Sequence, residues 1–146
     1  FYIRLKIMIA KSSGFSLIEL LVVIAIIGIL SAAGTLTYSG YVEGAKRSSA
    51  ENIVQQIALA QSEEYANTGS YYITGGTDSC DADSTTSEGI EDNLFDEENT
   101  IPDDIGFEMC TYGNAARFTV SAQEVKEGST CVITVTKYGT PQRTGC

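Results

Sequence analysis

The sequence predicts an α+β chain in which one very long amino-terminal helix, able to cross a membrane, packs its second half against a small antiparallel sheet. Three patterns predict it. Residues 20–42 form an uncharged run of 23 residues, and as a helix such a run is roughly 35 Å long, enough to span the hydrocarbon of a bilayer. Ala50, Ile53, Val54, Ile57 and Ala58 then recur at i, i+3, i+4, i+7 and i+8, one apolar face of a helix. Beyond Pro102 the period drops to two: Ile105-Phe107-Met109, Phe118-Val120-Ala122 and Cys131-Ile133-Val135 alternate with polar or smaller neighbours and read as three strands.

The helix is expected to run without a Pro over residues 15–66, about 52 residues and near 78 Å. Lys46, Arg47, Glu51, Gln55 and Glu63 fall mostly away from the apolar stripe, and Asn67-Thr68-Gly69 supplies a stop in which Gly takes the left-handed cap geometry. Gly28, Gly34, Gly40 and Gly44 punctuate it, each costing about 1 kcal/mol relative to Ala in a helix interior. They permit close helix packing or melting of residues 28–37, or simply reflect the higher Gly content of membrane helices. Residues 70–104 carry 11 of the 19 carboxylates and read as a solvated acidic loop. Within it Asp81-Ala82-Asp83-Ser84-Thr85 opens like a calcium loop, but Thr86 stands where the turn needs Gly and Asp92 where it needs Glu, so no metal is expected. Gly113-Asn114 and Glu127-Gly128-Ser129-Thr130 are the expected turns of a meander. Tyr138-Gly139-Thr140-Pro141 begins an irregular tail or a short edge strand.

Composition narrows the functions. The chain has no His, which removes the usual general base, the Ser-His and Cys-His nucleophile pairs and the H-E-x-x-H metal sites. No set of catalytic residues stands out, and neither enzyme activity nor a cofactor is expected. The four cysteines, Cys80, Cys110, Cys131 and Cys146, all follow the apolar run, as in a domain delivered to an oxidising compartment, and they allow three pairings. No C-x-x-C pair suggests zinc. About 80 residues follow Ala66, close to the lower limit for one stable core, so cross-links and the helix stripe must both support it. The net charge of −10 repels nucleic-acid phosphates, and no basic cluster offsets it.

One segment carries most of the functional information. Glu19 sits at the mouth of the apolar run, where a carboxylate costs up to about 2.5 to 3.5 kcal/mol at mid-membrane and less near the edge. The stretch Gly14-Phe15-Ser16-Leu17-Ile18-Glu19-Leu20, with Lys11 before it and the apolar helix after it, resembles the signature of the type IV pilin family, pilus subunits and type II secretion pseudopilins alike. The resemblance is sharp over residues 11–41, including Tyr38 and Tyr41, and architectural beyond. It departs where many pilins carry a kinking Pro and this chain has Leu36.

The resemblance implies a leader at 1–14, cut by the prepilin peptidase between Gly14 and Phe15, with N-methylation of Phe15 and Glu19 as the assembly residue. The sequence begins with Phe1 rather than Met. Met8 offers a natural start, giving the seven-residue leader Met8-Ile9-Ala10-Lys11-Ser12-Ser13-Gly14 and leaving residues 1–7 untranslated. Residues 15–41 would then be a transmembrane and filament-core helix, and 42–146 a soluble head with its loop at 70–104 and sheet at 105–146. Removing Arg4, Lys6 and Lys11 with the leader leaves 6 basic against 19 acidic residues, or −13. By analogy with pilins that close a carboxy-terminal loop, Cys131 pairs with Cys146 and Cys80 with Cys110.

The implied protein is a structural pilus subunit for adhesion, twitching motility or DNA uptake. Its partners would be further copies of itself, the inner membrane and the pilus assembly platform, and it would move from inner membrane to extracellular filament. A type II secretion pseudopilin is the alternative; major pseudopilins tend to lack disulfides. Two plainer readings compete: a secretory signal cleaved after Ser31-Ala32-Ala33, releasing an acidic binding domain, or a single-pass anchor. Glu19 counts against the first, since the region before a signal core is basic, and neither explains Gly14-Phe15.

Overall fold

The computed structural model describes residues 14–95 and 100–146; residues 1–13, which include Lys11 and the proposed start at Met8, and the acidic stretch 96–99 lie outside the described residues. Two compact units divide the chain between Tyr41 and Val42. Helix α1 is Leu17–Thr68, 52 residues. Gly69 ends it with φ of 79° and donates its N–H to the Tyr65 carbonyl at 2.9 Å, a left-handed cap that only Gly adopts without strain. The backbone at 28–37 is helical rather than extended. There Thr35 and Thr37 donate their hydroxyls to the Ala32 and Ala33 carbonyls at 3.2 and 3.3 Å, satisfying polar groups within the apolar stretch.

In the second unit α1 presents Ala50, Ile53, Val54, Ile57 and Gln61 as a fully buried face. A four-stranded antiparallel sheet lies in the order β1 (Phe107–Asn114), β2 (Arg117–Glu124), β3 (Val132–Thr136), β4 (Gln142–Thr144). Its core face is Phe107, Met109 and Thr111 on β1, Phe118, Val120 and Ala122 on β2, and Ile133 and Val135 on β3. The register sets small Ala122 between Met109 and Ile133, and Val120 between Thr111 and Val135, so large and small side chains interdigitate.

Several boundaries differ from expectation. The first hairpin turns at Ala115-Ala116, not at Gly113-Asn114: Asn114 pairs with Arg117, and its side-chain oxygen accepts from the Ala116 and Arg117 N–H groups at 2.9 and 3.2 Å. Gly113 is instead a paired strand residue with φ of 146°, where a Cβ would lie 2.3 Å from the Arg117 carbonyl. Ile105 belongs to a 3-10 turn, Asp103–Ile105, and Cys131 precedes β3. The tail provides a fourth strand.

The acidic segment is not merely a solvated loop. It contains α2 (Ser84–Ile90) and a π turn (Glu91–Phe95), and it buries Tyr71, Ile90 and Ile101 in the core. Asp83, read as an incipient calcium ligand, caps α2 by accepting from Thr86 N–H at 2.8 Å, and Thr86 returns a bond to the Asp83 backbone. This segment also covers the free edge of β1. Thr74 and Gly75 donate to the Thr111 carbonyl at 3.0 and 2.9 Å, Ser87 accepts from Met109 N–H at 2.8 Å, and Thr86 donates to the Met109 carbonyl at 2.7 Å. An edge so covered at Met109 and Thr111 is a poor template for a foreign strand.

Cys80 is bonded to Cys110 and Cys131 to Cys146, at sequence separations of 30 and 15. In the chain-entropy model such loops contribute about 4 and about 3 kcal/mol. Arg47 and Glu51, expected to turn away, instead tie α1 to the sheet. Arg47 lies 3.7 Å from Glu124, and Arg143 of β4 grips Glu51 through Nε at 2.6 Å and Nη2 at 2.9 Å. Lys126 holds Glu43 at 2.5 Å. These pairs are partly exposed and individually weak.

Gln61 is fully buried and makes a two-point bond to Tyr72, donating to its carbonyl at 2.5 Å and accepting from its N–H at 2.9 Å. Replacing it by Ala leaves a buried N–H without a partner and opens a cavity. Gln61→Ala should therefore lower head stability by roughly 2 to 4 kcal/mol in denaturant unfolding, and a loss under about 0.5 kcal/mol would contradict this role. The Arg143 bond lowers the Glu51 carboxyl from its ordinary 4.5. A lowered folded value means the clamp is complete above 4.5 and fades as pH falls through the lowered value. Amide exchange of β4, measured relative to β2, should rise on acidification through that window and be raised already at neutral pH in Glu51→Gln. Equal β4 protection in both proteins would show the clamp to be idle.

Candidate functional site

The candidate site is the start of α1. Ser16 precedes the first helical residue and Glu19 lies three residues on, the spacing of a capping box. Glu19 accepts the Ser16 N–H at 2.8 Å, and Ser16 Oγ accepts the Glu19 N–H at 3.4 Å. Two orphan donors of the helix start are thereby satisfied. The carboxylate also lies at the positive end of the helix dipole. The reciprocal bond is legible in Ser16-Leu17-Ile18-Glu19, and it gives Glu19 a capping role beside the assembly role expected of it.

Around this polar start the surface is apolar on every side. Phe15 is 87% exposed and Leu17 77%, and Ile18, Leu20, Leu21, Val22, Val23, Ile24, Ile26, Ile27, Ile29 and Leu30 are exposed as well. A helix apolar all round is stable only in lipid or among other helices. The stretch has a mean hydropathy of 2.6 over 18 residues, and it is the one described helix long and apolar enough to cross a membrane. A side chain added at Gly28, Gly34 or Gly40 would meet nothing within 4 Å in this unit.

Of the residues singled out from sequence, Gly14, Phe15 and Glu19 lie together at this end. The four cysteines lie in the other unit and cross-link the head. Among the described residues no three His, Cys, Asp or Glu side chains gather as a metal site. A head cavity of about 530 Å³ lies beside Gln56, Leu59, Glu63, Asn93, Leu94 and Phe95, and its lining places no nucleophile beside a base.

Residues 9–35 match the family model described as the prokaryotic N-terminal methylation motif. No curated protein and no solved structure matches the chain. The motif implies processing by the prepilin peptidase and assembly into a pilus or pseudopilus, with the apolar helix anchoring the chain in a membrane beforehand. It marks a structural, pilin-type protein. From Gly14 through its uncovered helix, the chain carries the leader signature of type IV pilins and pseudopilins.

Proposed function

We propose that the chain is a structural subunit of a type IV pilus, cut between Gly14 and Phe15, methylated on the Phe15 amine and polymerised through α1 for adhesion, twitching motility or DNA uptake. The observation that carries this reading is the methylation motif running directly into a helix whose apolar surface nothing covers. The two disulfides favour the pilus over the short pseudopilus of type II secretion, whose major subunits tend to lack them.

Assembly follows from the chemistry of the helix start. Cleavage creates a cationic amine on Phe15, one turn from Glu19. When α1 of an incoming subunit enters a bundle of like helices, its amine meets the Glu19 carboxylate of a neighbour. Each charge offsets the desolvation of the other, and removing one leaves the other unpaired at a cost of roughly 3 to 5 kcal/mol. Axial register is set by that pair, while Leu20, Val22, Val23, Ile26, Ile27 and Leu30 supply packing.

The Ser16 to Glu19 box lets the two roles of Glu19 be separated, because Gln retains the cap but not the charge. Glu19→Gln and Glu19→Ala should both leave the chain in the inner membrane and reduce sheared surface filaments by roughly a hundredfold, the equivalent of about 3 kcal/mol. Normal filaments from Glu19→Gln would show that Glu19 serves only as a cap.

A further inference from the structure

Beyond Gly14 the chain has six Lys and Arg residues against 19 Asp and Glu. Copies so charged repel one another, so heads that pack side by side need contacts where opposite charges meet. Three of the six bases are spent inside the head: Arg47 on Glu124, Lys126 on Glu43 and Arg143 on Glu51. Arg117 and Lys137 are placed differently. They line one groove of about 360 Å³ with Tyr112, Phe118 and Tyr138, at the hairpin end of the sheet.

The Lys137 ammonium stands 5.4, 5.3 and 5.2 Å from the ring centroids of Tyr65, Tyr71 and Tyr138. Hydrogen bonds to the Tyr71 and Tyr138 side chains raise its pKa above the ordinary lysine value, so it stays charged. It forms no ion pair with a described carboxylate. Among the described carboxylates Arg117 reaches only Asp78, at 3.9 Å, with side-chain exposures of 71% and 85%. Two available cations thus sit among aromatic faces, one of them the 88%-exposed Tyr138.

The complementary surface lies on the same domain. Glu88 and Asp103 line a small cleft with Phe107 and Glu108, Asp104 follows in the 3-10 turn, and Glu88, Asp103 and Asp104 are exposed without a described ion pair. That cleft adjoins the first residues of β1, whereas the groove adjoins Tyr112 and Gly113 near its end. Along a strand this separation is roughly 13 to 20 Å, too far for one copy to satisfy both patches itself. Two unlike patches that fit each other make a heterologous contact, which generates an open helical filament wherever its rotation does not close into a ring.

We propose that the Arg117 and Lys137 groove of one head receives the Glu88, Asp103 and Asp104 carboxylates of a second copy. The inference rests on the pilus reading above and adds where the heads meet. The test is charge reversal in the full chain. Arg117→Glu with Lys137→Glu should cut sheared filaments at least about tenfold at unchanged membrane levels. Adding Glu88→Lys, Asp103→Lys and Asp104→Lys to the same chain should restore them to within about threefold. Undiminished filaments from the reversed groove, or a loss the second reversal does not repair, would overturn the proposal while leaving the pilus reading in place. Undiminished filaments that no longer bind a single-stranded oligonucleotide would give the groove to an external polyanion instead. If the unaltered chain makes no filament, both readings fall.

Discussion

An apolar helix with no covering surface is the constraint on which the rest of this molecule depends. From Leu17 to Leu30 the side chains of α1 face outward on all sides, and water cannot host such a surface. Only lipid or a bundle of like helices can, and the polar start of the helix must be compatible with both. Ser16 and Glu19 meet that demand in the single chain by satisfying each other's backbone donors. A charge entering an apolar bundle calls for a counter-ion. The amine released at Phe15 is the group that processing would place within reach.

The same helix organises the head. Its buried face, from Ala50 to Gln61, floors the sheet, and the three ion pairs at Glu43, Arg47 and Glu51 each join it to a residue far along the chain. The Cys131 to Cys146 bond and the Arg143 clamp together secure β4, a three-residue strand that is otherwise exposed. The Cys80 to Cys110 bond fastens the covering segment to β1. A small core is thus closed at its edges by cross-links and by side chain to backbone bonds.

The parts governed by periodicity were legible in the sequence. The uncharged run gave the long helix, the Ala50 to Ala58 spacing gave its buried face, and alternation from Phe107 to Val135 gave three strands. What stayed hidden depends on contacts between residues distant in sequence. Nothing local marks Gln61 as the partner of Tyr72, or Glu51 as that of Arg143. The density of acids in residues 70–104 masked Ile90 and Ile101, single apolar residues whose burial only the folded segment reveals. Gly113-Asn114 misled because the glycine answers to a close backbone approach, and the turn itself falls on two alanines. At the helix start, the Ser16 to Glu19 spacing was in plain view and needed only the capping rule.

The most direct test of the account is the identity of the first residue in chains recovered from the cell envelope and from sheared filaments. Mass spectrometry of the amino-terminal peptide should find it beginning at Phe15 with one added methyl group. A filament subunit that retains Lys11 and Gly14, or a product that begins at Gly34 and has lost the apolar helix, would contradict it.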